Sequence, residues 1–116
     1  MKKIAFIGSG TMGTALATAA CKGIDPSEVV ITDVVTEKGQ KLADELGCNF
    51  VETNGEAIKA AHYVVFCVKP QFLKSVLEEV KPVFASCEEE GNEKIIVSFV
   101  AGVEVSTYVK ELELEG

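Results

Sequence analysis

The stretch IAFIGSGTMG, residues 4–13, decides the fold of this 116-residue chain. Its first four residues are apolar and run directly into Gly8, which is typical of a β-strand buried on both faces. Gly8, Gly10 and Gly13 follow with the spacing G-x-G-x-x-G, and apolar residues recur at helical spacing beyond them. The stretch therefore predicts a strand, a tight glycine turn and a helix in immediate succession.

Strand and helix patterns alternate along the rest of the chain. Apolar runs predict four further strands, at residues 29–31, 48–51, 63–68 and 94–100. Gly47 is the expected C-terminal cap of the second helix, and Thr53 or Asn54 is the expected N-terminal cap of the third. Pro70 suits the first turn of the fourth helix, which Pro82 should break or kink.

This strict alternation predicts an α/β fold. Buried strands joined by helical crossovers favour a Rossmann-type doubly wound parallel sheet of about five strands, in a three-layer α/β/α arrangement. A final amphipathic segment at residues 105–112 would add a last helix. The length suits one domain over residues 1–116, with no room for a second.

The net charge of −7 narrows the range of partners. An acidic domain does not neutralise phosphates by bulk electrostatics, so nucleic acid and anionic membranes are poor partners. A small phosphorylated ligand can still bind where backbone N–H groups supply the donors. No apolar run approaches the length of a membrane span and no signal peptide is recognisable, so we expect a cytoplasmic protein.

The cysteines and the histidine do not indicate a metal site. Cys21, Cys48, Cys67 and Cys87 lie far apart and form no C-x-x-C pair, and His62 is the single histidine. We expect the cysteines to be reduced structural thiols. His62 precedes a buried strand, which favours a structural role over proton transfer, so no catalytic residue is assigned.

The glycine turn is the candidate site for the pyrophosphate of a dinucleotide cofactor. Gly8 permits the tight turn, Gly10 lets backbone approach the pyrophosphate, and Gly13 lets the helix pack against the strand. N–H groups at the helix start would bind the anion, assisted by the helix dipole. The predicted contacts at this turn are Gly8, Ser9, Gly10, Thr11, Met12 and Gly13. The alternative is a glycine turn that binds no ligand.

Asp33 is the second candidate, 20 residues after Gly13 at the end of the second predicted strand. A carboxylate there hydrogen-bonds the ribose 2′-hydroxyl of NAD and repels the 2′-phosphate of NADP. No arginine follows it, and Lys38 is the nearby cation. These residues predict NAD(P)H as cofactor, with a modest preference for NAD(H). The alternative is an ordinary exposed aspartate at a strand end.

Four segments resemble pyrroline-5-carboxylate reductase in their order and spacing. They are residues 4–13, residues 53–54, the string VKPQ at residues 68–71 and the string AGV at residues 101–103. The glycine turn is shared with many dehydrogenases, whereas the VKPQ and AGV strings are more particular. Together the segments extend over nearly the whole chain.

The resemblance implies cofactor contacts beyond the glycine turn. They are Asn54 near the adenosine ribose, Val68, Lys69 and Pro70 beside the middle of the cofactor, and Ala101 and Gly102 near the nicotinamide. All follow predicted strands, and ligands of such sheets bind outside the carboxyl ends of the strands. For Lys69, a solvated lysine before a helix is an equally good interpretation.

Two residues depart from the pattern of that family. Thr11 stands where members usually have asparagine, which changes a side chain but keeps the backbone N–H. Val34 stands where members often carry an arginine or another polar residue suited to NADPH. The second departure agrees with a preference for NAD(H).

Members of that family continue into a helical domain that builds the dimer and the substrate pocket, whereas this chain stops at Gly116. The resemblance therefore implies an excised or truncated N-terminal domain that binds cofactor without turnover, and a homo-oligomer only with the C-terminal domain. The full enzyme would reduce 1-pyrroline-5-carboxylate to L-proline in proline biosynthesis. Two alternatives stay open: a self-standing dinucleotide-sensing module, and the cofactor domain of another NAD(P)-dependent dehydrogenase, hydroxy-acid or F420-linked.

Overall fold

The computed structural model describes residues 2–8, 11–91 and 94–98. Ser9, Gly10, Ala101, Gly102 and the predicted amphipathic segment at residues 105–112 lie outside the described residues, so the predictions made for them are not tested here.

Five strands form a single parallel sheet. They are β1 (Lys2–Ile7), β2 (Val29–Thr32), β3 (Asn49–Phe50), β4 (Ala61–Phe66) and β5 (Ile95–Ser98). Their spatial order is β3-β2-β1-β4-β5, and each neighbouring pair is parallel. The chain builds outward from β1 to one edge and then returns to the other side of β1, which makes a topological switch point between β1 and β4.

Four helices connect these strands. They are α1 (Thr11–Gly23), α2 (Thr36–Leu46), α3 (Asn54–Ala60) and α4 (Pro70–Glu89), and a short 3-10 turn, Pro26–Glu28, precedes β2. The predicted order of strands and helices is confirmed over the described residues. None of the described helices is both long and apolar enough to cross a membrane.

The core is divided into two clusters by the sheet. Ala5 and Ile7 of β1 pack towards α3 and α4, whereas Phe6 between them packs towards α1 and α2. All three are buried, as expected of a central parallel strand with helices on both faces. The predicted doubly wound, three-layer arrangement is therefore confirmed.

Two predicted helix caps are present. Gly47 has a φ of 74° and donates its N–H to the carbonyl of Ala43, which ends α2 in the left-handed conformation. At the start of α3, the Thr53 hydroxyl accepts a hydrogen bond of 3.1 Å from the N–H of Glu56. Thr53 is thus the N-terminal cap, and Asn54 is the first residue of the helix.

Helix α4 runs through Pro82 without a break, so the predicted break there is wrong, whereas a kink stays a prediction. The helix carries one buried stripe on both sides of the proline: Leu73, Leu77, Val80, Phe84 and Cys87. Packing of this stripe against the sheet offsets the hydrogen bond that a proline removes from a helix interior. Pro82 itself lies on the exposed face.

Strand β4 begins and ends two residues earlier than predicted. Its register pairs Ala61 with Lys2 and Phe66 with Ile7, so it extends along the whole of β1. Cys67 and Val68 consequently follow the carboxyl end of β4 instead of forming part of the strand. This difference places both residues at the edge of the sheet where ligands of such folds bind.

Replacing Gly13 by alanine should destabilise the fold, by about 1–3 kcal/mol. A Cβ there would collide with the carbonyl oxygen of Gly8, which is backbone and cannot swing aside. Urea unfolding measures the effect. Gly23, at the end of the same helix, is the matched control because a Cβ there would meet no atom within 4 Å. Gly23→Ala should be neutral or stabilising, and equal losses in both variants would contradict the packing argument.

Candidate cofactor-binding cleft

A cleft of about 520 Å³ opens at the carboxyl ends of the central strands. Residues that follow β1, β2 and β4, the first residue of α3 and one face of α4 form its walls. The lining residues are Gly8, Asp33, Val34, Val35, Lys38, Asn54, Cys67, Val68, Lys69, Phe72, Ser75, Val76 and Glu79. Its volume lies in the range of small-molecule sites, and it occupies the switch point of the sheet.

The strand end at Gly8 is held tightly between its neighbours. The N–H of Gly8 donates to the carbonyl of Thr32 at 3.0 Å, and the N–H of Cys67 donates to that of Ile7 at 2.9 Å. Gly8 has a φ of +93°, and a Cβ there would lie 3.2 Å from the backbone nitrogen of Val68. Both the backbone conformation and the space therefore require glycine.

Helix α1 begins at Thr11, three positions after Gly8. The N–H groups in the first turn of a helix have no carbonyl partner within it, and they carry the positive end of the helix dipole. The backbone of Thr11 and Met12 belongs to this first turn. The arrangement provides anion-binding donors without a basic side chain.

Asp33 is half-buried in the wall of the cleft and directly follows β2. Its Oδ1 accepts a hydrogen bond of 2.9 Å from the N–H of Val35, which folds the loop towards α2. Val34 is 94% exposed and Val35 54% exposed, so two apolar side chains lie at the mouth of the cleft. A carboxylate and an apolar surface are thus adjacent at this end.

The opposite wall carries a hydrogen bond between two helices. Nδ2 of Asn54, at the start of α3, donates to Oε2 of Glu79 on α4 at 2.7 Å. The distance is typical of a hydrogen bond to an ionised acceptor. Both side chains line the cleft, so this contact forms part of its surface.

The charges lining the cleft are balanced, although the chain as a whole carries −7. The exposed side chains of Lys38 and Lys69 line it together with the carboxylates of Asp33 and Glu79. Cys67 is half-buried in the cleft, and burial raises the pKa of its thiol to about 11. The cleft therefore repels an anion less than the net charge of the chain would indicate.

The structure brings together part of the predicted site. Five predicted residues line the cleft: Gly8, Asp33, Asn54, Val68 and Lys69. Gly13 is buried beneath the turn, where it packs against Gly8, and Pro70 starts α4. For Thr11, Met12 and Pro70 only the backbone is described.

Sequence reasoning missed the wall formed by α4. Its residues are Phe72, Ser75, Val76 and Glu79, with the spacing i, i+3, i+4, i+7 of one helix face. Phe72 and Val76 are apolar residues at helical spacing, which favours the core face of α4. Val76 does pack against the core, but Phe72 is 56% exposed. The core stripe lies one residue later, beginning at Leu73. Ser75 and Glu79 were the available signal, because they place polar groups on the face that Phe72 and Val76 share.

Other chemistry-bearing residues lie outside the cleft. His62 is exposed, and its ring contacts Tyr63 edge-on with 5.1 Å between centroids. The four cysteines are free thiols. Cys21 and Cys48 share a side-chain hydrogen bond, and burial is the largest cause that raises the pKa of Cys48 to about 12. Among the residues with described positions, no three His, Cys, Asp or Glu side chains are grouped as a metal site.

Comparison with known proteins identifies the family. The model of a family described as "NADP oxidoreductase coenzyme F420-dependent" matches residues 3–102. The chain belongs to this family. It is 35% identical over 99% of its length to the pyrroline-5-carboxylate reductase of Methanosarcina acetivorans, and 34% identical over 87% to that of Pseudomonas aeruginosa.

Structural comparison agrees. A solved pyrroline-5-carboxylate reductase from Coxiella burnetii superposes with a TM-score of 0.83 at 26% identity, covering 96% of this chain and 40% of that one. This chain likewise covers 41% of the Methanosarcina relative and 35% of the Pseudomonas one. The resemblance to the N-terminal domain of these reductases is confirmed, and the chain spans about two fifths of their length.

At pH 8, iodoacetamide should alkylate Cys67 in the folded chain at a rate about tenfold or more below that in the unfolded chain. The thiolate is the reactive form, and a pKa near 11 keeps it scarce at that pH. Peptide mass spectrometry measures the rate, with the same peptide in urea as the control. The rate should rise with pH towards 11, and a plateau near pH 9 would show that burial does not control this thiol.

Proposed function

We propose that this chain is the NAD(P)H-binding domain of an oxidoreductase similar to pyrroline-5-carboxylate reductase. The observation that carries the proposal is the cleft at the carboxyl edge of the sheet, which Gly8, Asp33 and Asn54 all line. These residues come from three separate parts of the sequence, and each follows or adjoins a different strand. Dinucleotides bind at this edge in doubly wound folds.

The residues suit the parts of such a cofactor. The pyrophosphate would lie at the N-terminus of α1, where Gly10, Thr11 and Met12 supply backbone donors and Ser9 completes the turn. Asp33 and Asn54 would hold the adenosine ribose. Val68, Lys69 and Pro70 would flank the middle of the cofactor, with Ala101 and Gly102 near the nicotinamide. The lack of space for a Cβ at Gly8 supports a backbone-lined cradle.

The whole enzyme would reduce the carbon–nitrogen double bond of 1-pyrroline-5-carboxylate to give L-proline. NAD(P)H supplies the hydride for that step. The role of this chain is to bind and orient the cofactor, while the remaining part of the protein would provide the substrate pocket and the dimer interface. We infer that the chain alone binds cofactor without turnover, and that the enzyme is cytoplasmic.

Two other functions can be distinguished from this one by experiment. A dinucleotide sensor would require a natural reading frame that ends after Gly116. A dehydrogenase of another substrate, hydroxy-acid or F420-linked, would require that the longer natural protein leave NAD(P)H unoxidised when 1-pyrroline-5-carboxylate is added. The curated relatives named above favour the first function over both.

Replacing Gly10 by valine should abolish binding of NADH, since a branched side chain would block the approach of the pyrophosphate to the backbone. Titration followed by cofactor fluorescence measures binding. Gly23→Val at the far end of α1 is the control, because that position has open space around it. Unchanged affinity in the Gly10 variant would remove the site from the glycine turn.

Asp33 should give the chain a preference for NADH over NADPH. Asn at this position keeps the acceptor for the N–H of Val35 but removes the charge that repels a 2′-phosphate. Asp33→Asn should shift the NADPH-to-NADH affinity ratio by about tenfold towards NADPH, whereas Asp44→Asn, on the exposed side of α2, should not. Tighter binding of NADPH by the unsubstituted chain, as the family's description suggests, would overturn this preference.

A further inference from the structure

The hydrogen bond between Asn54 and Glu79 joins two rigid elements across one wall of the cleft. Asn54 follows the capping residue Thr53, and α3 is anchored through buried Ala57 and Ile58. Glu79 lies beside Val80, which is fully buried in the same core cluster. Packing therefore holds the two backbones close enough for the 2.7 Å hydrogen bond between the side chains.

The chemistry of the pair determines which end of the amide contacts Glu79. A carboxylate only accepts hydrogen bonds, whereas a primary amide has a donor end and an acceptor end. The Asn54 nitrogen donates to Oε2 of Glu79, which leaves the amide oxygen as the acceptor end of a side chain that lines the cleft. Without Glu79, either end of the amide could face the ligand.

We propose that Glu79 is a positioning residue that orients the Asn54 amide so that its oxygen accepts a hydrogen bond from a ribose hydroxyl. This inference rests on the proposed dinucleotide-binding function and adds a residue from α4 to it. An acceptor at this place favours a hydroxyl group and disfavours a phosphate, which has no proton to donate when fully ionised. Glu79 acts through Asn54 and is not required to touch the ligand.

Asn54 and Glu79 can be substituted with little effect on the stability of the fold. Glu79 is exposed and Asn54 is half-buried, so the hydrogen bond faces solvent. Such a bond contributes about 1 kcal/mol or less to folding. Variants at these two positions should therefore fold, and urea unfolding of each one checks this directly.

The experiment is a double-mutant cycle on the complete 116-residue chain, with NADH binding followed by fluorescence. Glu79→Ala and Asn54→Ala should each weaken binding by about three- to tenfold, the effect expected from one hydrogen bond. Glu79→Ala added to Asn54→Ala should not weaken NADH binding any further, because the residue through which Glu79 acts is gone.

Glu79→Gln should retain most of the affinity for NADH, since its carbonyl oxygen can accept a hydrogen bond from Asn54. Glu78→Ala, on an exposed neighbour outside the cleft, is the matched control and should bind normally.

A second readout separates orientation from general disturbance of the site. ADP and its 2′,3′-dideoxy analogue are used as competitors of NADH. The difference between their affinities measures how much the ribose hydroxyls contribute to binding. The ratio of affinities for ADP and for its dideoxy analogue should fall by about threefold in Glu79→Ala and stay unchanged in Glu78→Ala.

The outcomes distinguish this inference from the function on which it rests. If the unsubstituted chain binds neither NADH nor NADPH, both fail. If it binds NADH but Glu79→Ala behaves like Glu78→Ala, or if the two alanine substitutions are additive, the positioning role alone is overturned. An unchanged preference for ADP in Glu79→Ala would also overturn it.

Discussion

The close approach of backbones around Gly8 and Gly13 is the constraint on which the structure depends. Gly8, which directly follows β1, has a positive φ, and α1 starts three positions after it with Gly13 packed against Gly8. No side chain fits between them. Because the turn is this short, the N-terminus of α1 begins at the edge of the sheet, and β2 and β4 end on either side of it. The position of the cleft follows from this turn.

The same geometry explains how an acidic chain can present a site suited to a phosphorylated ligand. Backbone N–H groups and a helix dipole act over one turn of helix, whereas a net charge is screened over about 8–10 Å at ordinary ionic strength. The lining residues supply Lys38 and Lys69 against Asp33 and Glu79, so the local balance differs from the overall charge of −7. A negative net charge thus disfavours long polyanions but is compatible with a dinucleotide bound by local donors.

The sequence predicted those features that depend on local chemistry and topology. The run ending at Gly8 predicted a buried central strand, and Gly47 and Thr53 were recognisable caps. Asp33 was predicted from its spacing after the glycine turn, whereas Asn54 and Lys69 were implied by the family resemblance. All three line one cleft, as expected where parallel strands bring their carboxyl ends to the same edge. These inferences need no knowledge of side-chain packing.

The features that could not be predicted depend on which helix face meets the sheet. Phe72 is apolar and shares the helical spacing of the core residues, yet it is 56% exposed, and the buried stripe begins one residue later. Among the apolar residues that recur at helical spacing in α1, Ala15 and Ala19 are exposed. Alanine is compatible with either environment, which makes the rotation of such a helix hard to derive. The contact between Cys21 and Cys48 likewise exists only after α1 and α2 have packed.

Helix α4 shows how one element combines two tasks. Its first turns carry Phe72, Ser75 and Glu79 into the cleft, while an adjacent stripe packs into the core and continues beyond Pro82 to Phe84 and Cys87. A helix that stopped at Pro82 would lose the buried residues that follow and would hold its cleft face less firmly. Continuity through the proline therefore matters to the proposed site, although Pro82 does not itself line the cleft. The stability of the core beyond Pro82 fixes the wall from which Glu79 reaches Asn54.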